Sequence, residues 1–185
     1  MRVAFLLVAA FVTAIPVAVA APADDRTTCF STGTDDYKRE EFIEVGLRAC
    51  DRLITSGRFT GTGLANLLRA RGYWYHQKKD LDAALSDFNR AIQLDPKHVE
   101  GYDYRADVWT DKGELDRAIA DHDMAIRIDP TYAAAYYTRG KVYEAKGQID
   151  RAVTDYKAAL AAPARDRTGE WAHRGAQARL KELGR

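Results

Sequence analysis

The amino-acid sequence predicts an all-α fold, a solenoid of about eight helices packed as antiparallel pairs. Three observations carry that expectation. The segment Ala91-Ile92-Gln93-Leu94-Asp95-Pro96 returns as Ala125-Ile126-Arg127-Ile128-Asp129-Pro130, an offset of 34 residues. The same offset aligns Gly72 with Ala106 and Gly140, Tyr75 with Trp109 and Tyr143, Ala84 with Ala118 and Ala152, and Phe88 with His122 and Tyr156. Within one unit, Leu68, Gly72 and Tyr75, then Ala84, Phe88 and Ala91, step by three and four, which is the spacing of two amphipathic helices.

The first element is not part of that fold. Arg2, the apolar run Val3 to Val12, Pro16 and the small residues Ala18-Val19-Ala20 form the pattern of a secretory signal peptide over 1–20, with cleavage expected after Ala20. A membrane anchor is the alternative; the pure apolar run is short for a bilayer core. Residues 21–36 read as an N-terminal extension. In an exported chain its Cys29 and the later Cys50 make a natural disulfide pair.

Residues 37–56 follow as an opening half-repeat helix: Val45-Gly46-Leu47, Cys50 and Leu53-Ile54 match Ala83-Ala84-Leu85, Phe88 and Ala91-Ile92. A disulfide from Cys50 would fold the extension over the open end of the stack. After a spacer, 57–63, the full units run over 65–98, 99–132 and 133–166. Each is a hairpin because a short polar turn, Lys78-Lys79-Asp80, Lys112-Gly113-Glu114 or Lys146-Gly147-Gln148, separates its two apolar stripes. Small residues at Gly72, Ala84 and Ala91 let the helices approach, and Tyr75 and Phe88 fill the remaining space. Asp-Pro ends a unit because proline disfavours helix in the residue before it. Trp171, Arg174 and Gly175 match Tyr136, Arg139 and Gly140, so 168–184 reads as a closing helix. Such ends cover the apolar face each terminal repeat would expose.

The period and its size pattern resemble the tetratricopeptide repeat. That resemblance implies a right-handed superhelix whose concave face is lined by the first helix of each pair and holds an extended peptide or partner helix. The family's carboxylate clamp for acidic peptide tails is not reproduced: Arg69 matches one basic member, but Tyr73, Tyr104, Ala134 and Thr138 replace the rest.

Two charge patterns stand out. Arg71, Arg105, Arg139 and Arg174 recur in the first helices, and Asp87, Asp121 and Asp155 in the second. A partly buried arginine needs a partner. Pairing between repeats (Asp87–Arg105, Asp121–Arg139, Asp155–Arg174) is favoured over pairing within them, because it employs the closing helix's arginine; Arg71 then faces Ala49 and is left over. The second pattern is an acidic stripe in the middle repeat: Glu100, Asp103, Asp107 and Asp111 step by three, four and four with no cation between. It reads either as a solvated face or as a seat for a basic segment, with Tyr73 and Tyr137 giving apolar contact and Arg69, His76 and Lys141 beside it.

Catalysis and cofactors have no foothold. His76, His98, His122 and His173 lack metal-ligand spacing, His122 sits in a core column, and there is no phosphate loop or nucleophile elbow. With 28 Lys+Arg against 27 Asp+Glu, bulk attraction to nucleic acid is not expected. The sequence therefore reads as a non-enzymatic, exported interaction scaffold of a bacterial envelope, expected in the periplasm, without metal or cofactor. It would bind a protein or peptide of basic character. The alternatives are a self-assembling envelope component and a scaffold anchored by an uncleaved N-terminal segment.

Overall fold

The computed structural model describes residues 24–31 and 40–185; the segment 1–20 read as a signal peptide lies outside them. Among the described residues the regular structure is helical: α1 (Asp25–Cys29), α2 (Glu40–Thr55), α3 (Gly61–Gln77), α4 (Leu81–Leu94), α5 (Val99–Asp111), α6 (Leu115–Ile128), α7 (Ala133–Ala145), α8 (Ile149–Ala161) and α9 (Arg167–Glu182). Helix α1 within the extension raises the expected eight to nine.

The three hairpins are α3/α4, α5/α6 and α7/α8. Each first helix ends on a residue with positive φ, Lys79 (65°), Gly113 (78°) and Gly147 (72°). The next amide donates back to the carbonyl of Tyr75, Trp109 or Tyr143 at 2.9, 2.9 and 2.8 Å, closing the helix end and reversing the chain. Across the hairpin the small column meets the aromatic one. A Cβ on Gly72 would lie 2.9 Å from Phe88, and one on Gly140 would lie 2.6 Å from Tyr156.

Successive first helices touch one another, α3 to α5 and α5 to α7, while consecutive second helices have no comparable contact. The first helices therefore form the inner wall of the stack. Helix α9 packs equally on α7 and α8, and Tyr137 lies beneath it, where a Cβ on Gly175 would sit 2.3 Å from the tyrosine ring. At the opposite end Cys29 and Cys50 are joined in a disulfide. Fully buried Trp74 donates from Nε1 to the Cys29 carbonyl at 2.9 Å, holding α1 across α2 and α3.

The arginine ladder has a different register from the one expected. Arg71, Arg105 and Arg139 each grip the aspartate of their own hairpin, Asp87, Asp121 and Asp155, through two hydrogen bonds of 2.6–2.8 Å. The remaining terminal nitrogen reaches back to the preceding repeat, where Asp51, Asn89 and Asp123 accept at 2.7, 2.7 and 2.5 Å. Antiparallel packing sets residues 16 apart opposite each other, so the fork's broad edge is filled inside the hairpin. Arg71 is thus no orphan: Asp51 of α2 serves it. Hydrogen bonding to Asp87 dominates over burial and pushes Arg71 above the ordinary arginine range. The next position in that series is Lys157, whose ammonium cannot accept. Arg174 instead stays 72% exposed near Glu170 at 3.9 Å and is not part of the ladder. A second rail links neighbouring repeats near the surface, Lys78–Glu44, Lys112–Asp82 and Lys146–Asp116, at 2.5, 2.7 and 2.7 Å.

The inner face as candidate binding site

Helices α3, α5 and α7 bring the sequence-predicted residues to one face, but they are not equally available. Register places Asn66, Glu100 and Ala134 in one column, Arg69, Asp103 and Tyr137 in the next, Tyr73, Asp107 and Lys141 in a third, and Gln77, Asp111 and Ala145 in a fourth. These columns change chemistry from repeat to repeat, whereas the frame columns keep theirs.

In the first repeat, the Arg69 guanidinium lies 5.8 Å from the Tyr104 ring centroid. Half-buried Tyr73 packs edgewise on Trp74 at 5.7 Å and tilts against Tyr104 at 5.8 Å. Burial pushes the Tyr104 hydroxyl up to about 12, against the pull of Arg69.

The acidic stripe is not the bare, uncompensated row that the sequence suggests, because three of its four carboxyls have close polar partners. His98 Nδ1 stands 2.9 Å from Glu100 Oε2, and this contact, outweighing desolvation, draws the Glu100 carboxyl down to about 2. Asp111 is held by Lys79 of the α3–α4 turn at 2.8 Å and by His76 of α3 at 3.0 Å. Burial works against its ionisation, yet those two groups outweigh it and lower its pKa. Asp103 is only 3% exposed and sits in the core between repeats. Tyr132 and Thr138 donate to it at 3.2 Å each, and His122 Nδ1 lies 3.1 Å away. His122 is fully buried as its column predicted, but its Nε2 has no hydrogen-bond partner among the described residues. Half-buried Asp107 has no hydrogen bond or ion pair among the described residues. Desolvation, then the charge of Asp103, pushes its carboxyl up to about 7 against His122 and Lys141.

In the third repeat the expectation needs correcting. Tyr137 is not an open contact: it is 9% exposed, capped edge-to-face by Trp171 at 4.9 Å. Trp171, at 44% exposure, takes over the outward aromatic position. Exposed Lys141 keeps its ammonium 5.6 Å from the Tyr137 ring centroid. Beside it is a cavity of about 380 Å³ lined by Tyr137, Lys141, Glu144, Ala145 and Arg179. Glu144 there is bound by Arg179 and by the Tyr156 hydroxyl at 2.7 Å. The sequence assigns Trp171 only to the frame of the closing helix and does not single out Arg179, because no periodicity encodes the tilt of that helix over α7.

Among the described residues no group of three or more His, Cys, Asp or Glu side chains could hold a metal ion, and no helix is long and apolar enough to cross a membrane.

Comparison with known proteins agrees with this architecture. Profiles described as tetratricopeptide repeat match residues 65–98 and 133–165, and one described as TPR repeat matches 106–147. No curated protein sequence matches the chain. Among solved structures, MamA superposes with a TM-score of 0.58 at 18% identity, over 81% of this chain and 95% of that one. The first TPR of Spaghetti (RPAP3), bound to the HSP90 peptide SRMEEVD, gives 0.54 at 20% identity over 66% and 97%. The TPR domain of Arabidopsis OM64 gives 0.54 at 21% identity over 64% and 98%. The matched repeats and the stacked helical hairpins place this chain in the tetratricopeptide repeat family.

Proposed function

We propose that the chain is a non-enzymatic interaction scaffold that binds a peptide or partner segment of basic character along the α3, α5, α7 face, and that it works as an exported protein of a bacterial envelope. One observation carries the binding reading: equivalent positions on that face hold unlike side chains, Tyr73, Asp107 and Lys141, while the frame repeats faithfully. One residue set holds the fold and another is left for recognition. The RPAP3 domain, solved with a peptide, supports a peptide ligand. Its ligand is acidic, whereas the carboxylates of the middle repeat here favour a cation. Export rests on the pattern of residues 1–20 and on the Cys29–Cys50 bridge.

Calorimetric titration with a synthetic decapeptide alternating lysine and alanine, against a glutamine-for-lysine control, tests the binding reading. Binding of the lysine peptide should weaken at least about tenfold in Asp107→Ala, a loss of about 1.4 kcal/mol. Equal affinity for both peptides, or no effect of the substitution, refutes it. Mass spectrometry of the exported protein should find Ala21 at its N-terminus. Exposed Ile149 and Leu160 on α8 favour a second reading, self-assembly through the outer helices; light scattering that shows a monomer at all concentrations rejects that one.

A further inference from the structure

The closing helix continues the inner wall as well as capping it. The offset of 34 residues that relates α3, α5 and α7 carries Tyr137, Lys141 and Ala145 of α7 onto Trp171, Gly175 and Arg179 of α9. Burial supports that register: Ala135, Thr138 and Val142 are buried on α7, and Gly169, Ala172 and Ala176, 34 residues on, are buried on α9. It is one step away from the match of Gly175 with Gly140 that the sequence suggests. Gly140 faces Tyr156 of its own second helix, whereas Gly175 has no such helix to face and admits Tyr137 instead.

This arrangement leaves a cleft between α7 and α9. One turn before Gly175, Trp171 stands edge-on to Tyr137 and keeps 44% of its surface exposed. One turn after it, Arg179 closes the cavity of about 380 Å³ that it shares with Tyr137, Lys141, Glu144 and Ala145. The charges here are unequally matched. Arg179 is spent, since Nε and Nη2 bind Glu144 and Nη1 binds Glu182. Glu144 also accepts from the Tyr156 hydroxyl. Lys141 has no carboxylate within ion-pair distance among the described residues, and its ammonium rests 5.6 Å from the Tyr137 ring centroid. A cation entering the cleft meets Lys141 unopposed, whereas an anion finds a free ammonium and a glutamate already neutralised by its arginine.

We propose that the α7/α9 cleft is a second subsite of the inner face, opposite in sign to the middle repeat, in which Lys141 takes an acidic side chain of the bound segment and Trp171 packs on the apolar residue beside it. That the same segment also lies along α5 rests on the binding reading above; the chemistry of the cleft does not. Lys141 offers one point charge, and every nitrogen of Arg179 is already engaged, so no second free donor stands beside it. Such a site suits a side-chain carboxylate rather than a chain end, which needs several donors. The cleft also lies outside the clamp positions Arg69, Tyr73, Tyr104, Ala134 and Thr138.

The wall sets the spacing of the two charges on the ligand. Neighbouring helices pack about 8–10 Å apart, which puts the cleft about 12–15 Å from the axis of α5. An extended segment crosses that distance in about four residues. The partner is therefore a segment of mixed sign, with its basic residues over α5 and an acidic residue next to an apolar one about four positions away.

Two sets of peptides, blocked at both ends so that a side chain carries the only carboxylate, test the subsite. The tetrapeptides Ala-Glu-Phe-Ala and Ala-Gln-Phe-Ala are titrated into the full chain and followed by NMR of the indole signals, with Trp171→Phe for assignment. The glutamate form should shift the Trp171 indole more strongly. Lys141 is exposed, so Lys141→Glu leaves the fold intact, and it should reverse the preference. Equal shifts from the two peptides, or a preference that Lys141→Glu leaves in place, overturns the proposal. A response confined to a peptide with a free C-terminal carboxylate overturns it as well. The lysine–alanine decapeptide is then extended by Glu-Phe or Gln-Phe at either end. At one end the glutamate form should bind about two- to fivefold more tightly than its control, an advantage that shrinks with salt. If the glutamate tetrapeptide responds and no decapeptide binds, the cleft stands and the basic-peptide reading fails. If the decapeptides bind with no glutamate advantage at either end and the tetrapeptides act alike, the cleft fails and that reading survives.

Discussion

Replacing Arg139 by methionine should cost about 3–5 kcal/mol of stability, whereas the same change at Arg174 should cost about 0–1. The structure supplies the difference. Arg139 gives two hydrogen bonds to Asp155 and one to Asp123, and its guanidinium lies 5.8 Å from the ring centroids of Tyr136 and Tyr143. Methionine keeps the packing but leaves Asp155, 4% exposed, without its cation. Arg174 faces water, with Glu170 at 3.9 Å. Urea unfolding followed by circular dichroism is a sufficient assay. With a slope of about 2 kcal/mol per molar, the midpoint should drop by about 1.5–2.5 M for Arg139→Met and by less than about 0.5 M for Arg174→Met. Double-mutant cycles with Asp155→Asn then separate the two pairings. Coupling of about 2 kcal/mol or more is expected between positions 139 and 155, and near zero between 155 and 174. Repeat arrays are stabilised largely by neighbours, so amide exchange should accelerate first in α7 and α8. Equal losses at the two arginines, or strong coupling between 155 and 174, would falsify the within-hairpin register.

Two further outcomes follow from the packing. Gly140→Ala pushes a methyl group against the Tyr156 ring and should destabilise the chain by about 1–2 kcal/mol despite alanine's better helix propensity; Tyr156→His, which imitates the natural Ala106 and His122 combination, should recover part of that in thermal melts. Reducing Cys29–Cys50 should cost about 3 kcal/mol in urea unfolding and shift tryptophan emission to the red, because the cap that holds Trp74 away from water is released; unchanged emission after reduction would show that α1 stays docked without the bridge.

The repeating frame was legible because it is local. Gly72 meets Phe88, and Gly140 meets Tyr156, within a single hairpin, so a 34-residue period with fixed small and large columns suffices to reveal helices, turns and their pairing. The charged residues were harder to place. Arg71 has carboxylates within reach on both sides, and Asp51 belongs to an opening helix joined by a spacer, out of step with the later period. Trp74 carries no repeat signature, yet it anchors the cap.

By itself the sequence determined the helical hairpins, their stacking and the two ends that close the stack, since apolar spacing decides which side of each helix is withdrawn from water. Only the tertiary structure decided which polar groups share that fate. Asp103 and Asp107 occupy the same helical face, but the Tyr132 and Thr138 hydroxyls reach one and not the other, and the His122 ring lies beside Asp103 alone at 3.1 Å. Tyr137 reads as open until α9 is laid across it. Burial and partnership depend on what the next helix brings, and the pattern of one helix carries no record of its neighbour's tilt.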